Sequence, residues 1–200
     1  MEIILMHHGK PTYTGSPKVT SREMADWIEQ YNISDTGNDT PPESSKLLSS
    51  CTLQIISSPL PRALSSLRAL GYEPGLIDEV FREVDLIPCF RLSPTCWAVL
   101  FRAIWLCGMS SKTESLGKAK KRAFQGAEIL INVANKFKGT VLLMGHGVMN
   151  ELIARELISL GWKKQSRSGK GNWKAFTNII KYMLNEFTYR IGFMSALACS

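Results

Sequence analysis

The sequence predicts a three-layer α/β/α sandwich with a largely parallel central sheet. Short apolar runs alternate with segments whose apolar residues recur at helical spacing, and each parallel crossover needs such a helix. The two clearest runs, Glu2 to Met6 and Thr140 to Met144, are apolar at nearly every position, as strands buried on both faces are. The length of 200 residues, 44% hydrophobic and 20% charged, suits one domain with a sizeable core, expected to span residues 1–200.

Each element has a local reason. Glu2 to Met6 reads as a buried strand that opens into His-Gly. Thr20-x-x-Glu23 has the capping-box pattern, and Met24, Trp27, Ile28 and Tyr31 follow at helical spacing, which predicts a helix over 21–31. A loop rich in Asp, Thr, Pro and Ser is expected over 34–45. Leu53 to Ile56 is the second strand, and Ser57-Ser58-Pro59 offers a serine cap and an early proline for a helix through Leu70, stopped by Gly71. Leu76 to Val84 alternates apolar and charged residues like a strand. Pro94 to Cys107 shows an apolar helical face of Trp97, Leu100, Phe101, Ile104 and Trp105.

A long helix is expected from about Glu114 to Phe137, basic early and apolar late. The strand at Val141 to Met144 ends in Gly145-His146-Gly147, and a helix then runs to Leu160. The Lys/Arg/Ser/Gly stretch at 163–174 reads as a loop able to close over a charged substrate, and Phe176 to Leu184 as the last strand. No repeat, linker or low-complexity tract interrupts the chain.

The net charge is +7, divided into −4 over residues 1–100 and +11 over residues 101–200. Its clusters at Lys112 to Arg122 and Lys163 to Lys174 are compatible with anionic partners and equally with solvated faces. No apolar run is long enough to cross a bilayer, and the N-terminal segment has an acid where a signal peptide needs bases, so a cytoplasmic protein is expected. Five cysteines, Cys51, Cys89, Cys96, Cys107 and Cys199, without a Cys-x-x-Cys pair, read as reduced, small core residues.

In sheets of this kind ligands bind beyond the carboxyl ends of the strands. All three histidines of the chain stand at such ends: His7 and His8 after the first strand, His146 after the Val141 to Met144 strand. Glycines beside them let a ligand approach the backbone. Arg62 lies in the first turn of the helix after the second strand, where a guanidinium fork and the helix N-terminus together favour a phosphate dianion.

Met6-His7-His8-Gly9-Lys10, Ser57-Ser58-Pro59-Leu60-Pro61-Arg62-Ala63, Phe81-Arg82-Glu83 and Gly145-His146-Gly147, in that order, resemble the motifs of the histidine phosphatase superfamily, the phosphoglycerate-mutase-like proteins. The resemblance spans residue 3 to about 183. The segments Glu83 to Pro88, Trp97 to Gly108 and Asn150 to Trp162 further resemble a bacterial branch of small members.

The resemblance implies a phosphohistidine mechanism on a phosphorylated small molecule, with inorganic phosphate as product and with neither metal nor cofactor. His8 would attack phosphorus, a neutral imidazole being both a competent nucleophile and a competent leaving group. Gly9, Arg62 and His146, with His7, would hold the phosphoryl oxygens. Glu83 matches the acidic position that protonates the leaving alkoxide, with Glu79 and Asp85 as rivals.

One position departs from the pattern. The family has arginine directly before the nucleophile, and this chain has His7, which is shorter and lacks the five-donor fork. Losing such a donor set commonly costs about 3 kcal/mol of transition-state stabilisation. Three outcomes follow: a slow phosphatase whose rate rises as acid charges His7, a pocket in which another base such as Lys10 restores the charge, or a phospho-ligand binder without turnover. A mutase is the alternative within the family, although the residues after Gly9 lack the serine and tryptophan of the glycolytic mutases. A nucleic-acid binder would use the basic half, yet no helix-turn-helix, zinc-finger or RNP-like motif accompanies it. A metal site on the three histidines is disfavoured because neighbouring strand residues point to opposite faces. Substrate choice is expected to lie in the loops at 11–19, 34–45 and 86–96.

Overall fold

The computed structural model describes residues 1–14, 21–84, 99, 103, 114–169 and 171–179. Six strands form one sheet in the order β3-β2-β4-β1-β6-β5. β1 (Glu2–His7) runs parallel to β4 (Thr140–Gly145), which runs parallel to β2 (Gln54–Ser57), and β2 pairs parallel with the two-residue β3 (Leu76–Ile77). On the other side of β1, β6 (Ala175–Ile179) is antiparallel, and β5 (Lys163–Ser168) pairs antiparallel with β6 at the edge. The predicted α/β sandwich with a largely parallel sheet is therefore the observed fold, extended by one antiparallel hairpin.

The central strands are apolar throughout because both faces are covered. Ile3 and Leu5 join Val141 and Leu143 in a cluster with α4 (Leu116–Phe137) and α5 (Gly147–Ser159). Ile4 and Met6 turn the other way with Leu142 and Met144, against Ala63 and Leu67 of α3 (Pro61–Ala69). Alanines 119, 123, 127 and 134 line the buried side of α4 and let it lie close to the sheet. Ser115 caps that helix by accepting the Lys118 N–H at 3.3 Å, and Lys138 ends it in the left-handed region at φ 51°.

Several expectations are corrected. The helix after β2 begins at Pro61, with Leu60 as an N-cap that makes no side-chain bond, so the first-turn proline is Pro61 and not Pro59. Residues 43–45, expected in a loop, open α2 (Glu43–Ser50), a short helix whose serines bond back to their own turn: Ser49 to Lys46 O and Ser50 to Leu47 O. The strand-like stretch 76–84 is β3 followed by a 3-10 turn at Glu79–Phe81. The basic 163–174 stretch is a strand and turn rather than a closing loop. Its polar KKQSRS sequence hides it, since charge is how an edge strand resists pairing with another chain. Cys51 is exposed rather than a core residue. Helix α1 (Ser21–Ile33) forms where predicted. Thr20 of its capping pattern, most of the 94–107 helix, the 86–96 loop, Asp85, the other four cysteines and residues 180–184 of the last strand lie outside the described residues. Among the described residues no helix is long and apolar enough to cross a membrane.

Candidate active site

β1 and β4 are adjacent and parallel, so their carboxyl ends deliver residues 7–9 and 145–147 side by side. His8 N–H donates to Gly145 O at 3.2 Å. The His8 ring is buried, 2% exposed, with Nδ1 2.7 Å from the Gly9 carbonyl. A carbonyl only accepts, so Nδ1 carries the proton and Nε2 keeps its lone pair. That lone pair faces Arg62, whose Nε–H donates to it at 3.3 Å. Burial, then the neighbouring His7 and Arg62, push the His8 pKa well below the ordinary histidine value. The ring is neutral at pH 7.

Arg62 is 1% exposed. Besides His8, its Nη1 donates to Tyr31 O at 3.1 Å and to Asn32 Oδ1 at 3.4 Å, and its guanidinium carbon lies 4.5 Å from the Tyr31 ring centroid. Helix α1 thus fixes the fork from one side while α3 carries it from the other. Burial lowers its pKa, yet an arginine so placed stays cationic. Ser66, one turn after Arg62, donates to Arg62 O at 2.6 Å and accepts the Gly9 N–H at 2.8 Å, linking the two motifs through one hydroxyl.

His146 is the N-cap residue of α5 and is fully buried. Its Nε2 lies 2.7 Å from Ser58 Oγ, its ring centroid 5.1 Å from that of His8, and its Nδ1 has no partner among the described residues. Burial first, then the charges of His8 and Arg62, hold its pKa well below the usual value. Gly145 is required by packing: a Cβ there would lie 2.4 Å from Oδ1 of Asn150, whose amide donates to Met6 O.

The His7 ring lies beside that of His8, centroids 4.2 Å apart, with its Nδ1 bonded to His8 O at 2.9 Å and its ring edge against Gly147 at the start of α5. Burial lowers its pKa. The bond to the His8 carbonyl and the charge of Glu83 oppose that shift, and Lys174 and Arg62 add to it. At neutral pH, His7 does not supply the cation an arginine would. Lys10 is exposed, and its backbone N–H donates to Asp39 Oδ2 at 2.6 Å.

Glu83 lies against the N-terminus of α5. Its Oε1 accepts the N–H groups of Val84 at 3.1 Å and Met149 at 3.2 Å, and its Oε2 accepts that of Val148 at 3.4 Å. Of the rivals, Glu79 pairs with Arg82 in solvent at 3.4 Å.

The structure thus gathers His8, Arg62, His146 and Gly9 into one buried cup with His7 and Glu83 on its flank. Sequence reasoning missed the groups that hold it. Ser58, read as a helix cap, serves His146. Arg122, within a basic run compatible with a solvated face, forms a bidentate pair with Glu114 and donates to the carbonyls of Val80 and Arg82, bracing the segment that ends at Glu83. Trp173 sits at φ 60°, donates its N–H to His8 O at 3.2 Å and its indole N–H to Asp39 Oδ2 at 2.8 Å. Among the described residues no group of histidine, cysteine and carboxylate side chains could hold a metal ion.

A histidine at the end of the central strand, beside a buried arginine and a second histidine on the neighbouring parallel strand, sits in a phosphoglycerate-mutase-like fold. Among solved structures, the chain is similar to phosphoserine phosphatase of Entamoeba histolytica in complex with 3-phosphoglyceric acid. The TM-score is 0.55 and the identity 15%, over 88% of this chain and 89% of that one. It is also similar to a mycobacterial glucosyl-3-phosphoglycerate phosphatase with VO3, at TM-score 0.54 and 17% identity over 88% and 91% of the two chains. An open reading frame product of Mycobacterium tuberculosis aligns at TM-score 0.54 and 15% identity over 76% of this chain and 77% of that one. Neither a family model nor a curated protein matches the sequence.

Proposed function

We propose that this chain is a phosphomonoester hydrolase of the histidine phosphatase type, acting on a small phosphorylated metabolite through a phosphohistidine on His8. One observation carries the reading: the neutral His8 ring is fixed by Nδ1 on the Gly9 carbonyl and presents the lone pair of Nε2 to the Arg62 cation. Nε2 attacks phosphorus, the ester oxygen leaves with the bond pair, and water then attacks the phosphoryl group, releasing inorganic phosphate and a neutral His8. Because charge spreads over the equatorial oxygens, the rate depends on donors already in place. Arg62 leaves its His8 contact for an oxygen, and His146, with Ser58 on Nε2, offers the otherwise unpartnered Nδ1. Glu83 uses three of its four lone-pair sites on backbone N–H groups, and the fourth, on Oε2, carries the proton for the leaving alkoxide.

His7 supports a second reading. Neutral at pH 7, although its ring lies 4.2 Å from that of His8, it leaves the cup with one guanidinium, a composition that also suits a phospho-ligand binder with little or no turnover. Incubating the protein with a radiolabelled phosphomonoester and quenching in alkali, where phosphohistidine survives, distinguishes the two. Label on the wild type and none on His8→Ala is the expected result. Saturable phosphate binding with neither label nor product would favour the binder.

A further inference from the structure

The β5–β6 hairpin gathers positive charge for which the fold has no need. Lys164 Nζ lies 4.0 Å, Lys174 Nζ 4.6 Å and the Arg167 guanidinium carbon 5.5 Å from the centroid of one ring, that of Phe176. A ring face attracts each cation weakly, while the three repel one another. None of them is in an ion pair among the described residues. Glu151, whose charge acts on Lys174, is paired with Arg155 at 3.9 Å.

The convergence is built by the backbone. Arg167 lies opposite Phe176 and Lys164 opposite Asn178, and these two β6 residues, two apart, face the same side. Three residues apart in a regular strand, Lys164 and Arg167 would face opposite sides. The register shifts between Lys164 and Ser166, leaving Gln165 as an extra residue, and this bulge brings both cations to the Phe176 side. Lys174, two residues before Phe176, shares it.

That side adjoins the cup. His7 donates its N–H to Lys174 O at 2.8 Å, and His7 is two residues beyond Leu5, which pairs with Phe176. Lys174 therefore stands next to His7, with Arg167 one strand further out and two residues back, about 12 Å from His7 at the usual strand spacing and rise.

We propose that Lys164, Arg167 and Lys174 form a second anion subsite. The substrate then carries, besides the phosphoryl group that is transferred, a second phosphate or a carboxylate within about 12 Å of it. The inference rests on the phosphatase reading of the cup, and it names the substrate class that reading leaves open. The repulsion among the cations is relieved when an anion enters, so the cluster favours occupancy over the empty state.

Three probes of equal length test it: butane-1,4-diol monophosphate, its bisphosphate, and 4-phosphooxybutanoate. At low salt, kcat/KM for one or both dianchored probes is expected to exceed that for the monophosphate by about tenfold, one charge-assisted hydrogen bond. The advantage shrinks as salt rises. In Lys164→Met/Arg167→Met, whose stems still cover Phe176, the advantage disappears while turnover of the monophosphate is unchanged, and the single Arg167→Met variant shows part of the loss. Bisphosphate alone preferred identifies a phosphate subsite, and the butanoate preferred identifies a carboxylate subsite. Equal kcat/KM for all three probes overturns the proposal, as does an equal loss for all three in the variant. Should no probe be hydrolysed, the phosphatase reading fails, and calorimetry on His8→Ala still decides the subsite: tighter binding of a dianchored probe supports it, and equal Kd values overturn it. Displacement by an oligonucleotide but by neither dianchored probe also overturns it.

Discussion

Arg62 and His8 meet nitrogen to nitrogen, the Nε–H of one aimed at the lone pair of the other across 3.3 Å. The cation thus stabilises the neutral, nucleophilic ring, and for the same reason opposes its protonation. Arg62→Met should lower kcat/KM about 10²- to 10³-fold and weaken vanadate binding in parallel, since it removes both the partner of Nε2 and the oxygen ligand. Arg62→Lys should recover only a small part, because an ammonium cannot hold Tyr31 O and a phosphoryl oxygen as a fork does. Steady-state kinetics beside vanadate titration check both, and an unchanged kcat/KM in Arg62→Met would remove Arg62 from the site.

His7→Arg should raise kcat/KM about ten- to a hundredfold at pH 7 by restoring a permanent cation. The wild type should gain little on acidification from pH 8 to about 6.5, because burial has lowered the His7 pKa and the ring charges only in more acid solution. A bound dianion acts in the opposite sense. NMR titration of His7 with and without inorganic phosphate should show the pKa rising on binding, against the opposing charges of Arg62 and Lys174 and with that of Glu83. No rise on binding would place the anion away from His7.

The helix-terminal contacts of Glu83 and its proposed acid role can be separated. Glu83→Ala removes a carboxylate from the N-terminus of α5 and should cost about 1 kcal/mol of stability, read as a lower denaturation midpoint. Glu83→Gln keeps an acceptor oxygen but no proton to give. Its kcat should fall about 10²-fold or more on an alkyl phosphate and far less on an aryl phosphate, whose leaving group needs no acid. Equal losses on both would assign Glu83 to positioning alone.

Stability should fall with pH, chiefly through the two rings whose pKa values lie furthest below the ordinary one, with His7 adding in the same sense. His8 and His146 are buried and neutral, with pKa values well below the 6.5 at which histidine titrates in the unfolded chain. Below about pH 6.5 the unfolded chain binds protons that the folded one refuses. Stability fully present above that value is therefore lost as pH drops, by up to about 1.4 kcal/mol per unit for each ring. Urea denaturation at pH 7.5 and 5.5 measures it, and His146→Asn should flatten the slope.

Gly9 has no room for a side chain: a Cβ would lie 2.7 Å from both Asp39 Oδ2 and Trp173 Cζ2. Gly9→Ala should cost about 1–3 kcal/mol through overpacking, and should lower activity by moving the carbonyl that orients His8. A crystal structure of the variant with an unmoved loop would contradict this.

What the sequence made legible follows from how each residue is used. β1 and β4 show themselves because two-sided burial demands unbroken apolar runs. β5 does not, because an exposed edge strand needs none. His8, Arg62 and His146 could be picked out because each stands at the end of a strand or the start of a helix. The groups that lock them are hydroxyls, an indole and a carboxylate with distant partners: Ser66 with Gly9 is 57 residues apart, Ser58 with His146 is 88, and Trp173 with Asp39 is 134. No local pattern announces such pairs. The serine before Pro59 had a plausible local use as a cap, and that use concealed the one it has.

The loop of the proposed nucleophile, His8, is completed by Trp173, whose main chain grips the His8 carbonyl and whose indole steadies the aspartate under Lys10. β1 likewise finds its two neighbours only in β4 and β6. During synthesis, then, β1 leaves the ribosome well before the two strands that flank it. Contacts of such long sequence separation form slowly. Nascent fragments ending before the hairpin should be unable to form phosphohistidine, the proposed nucleophile being incompletely enclosed until β6 pairs with β1.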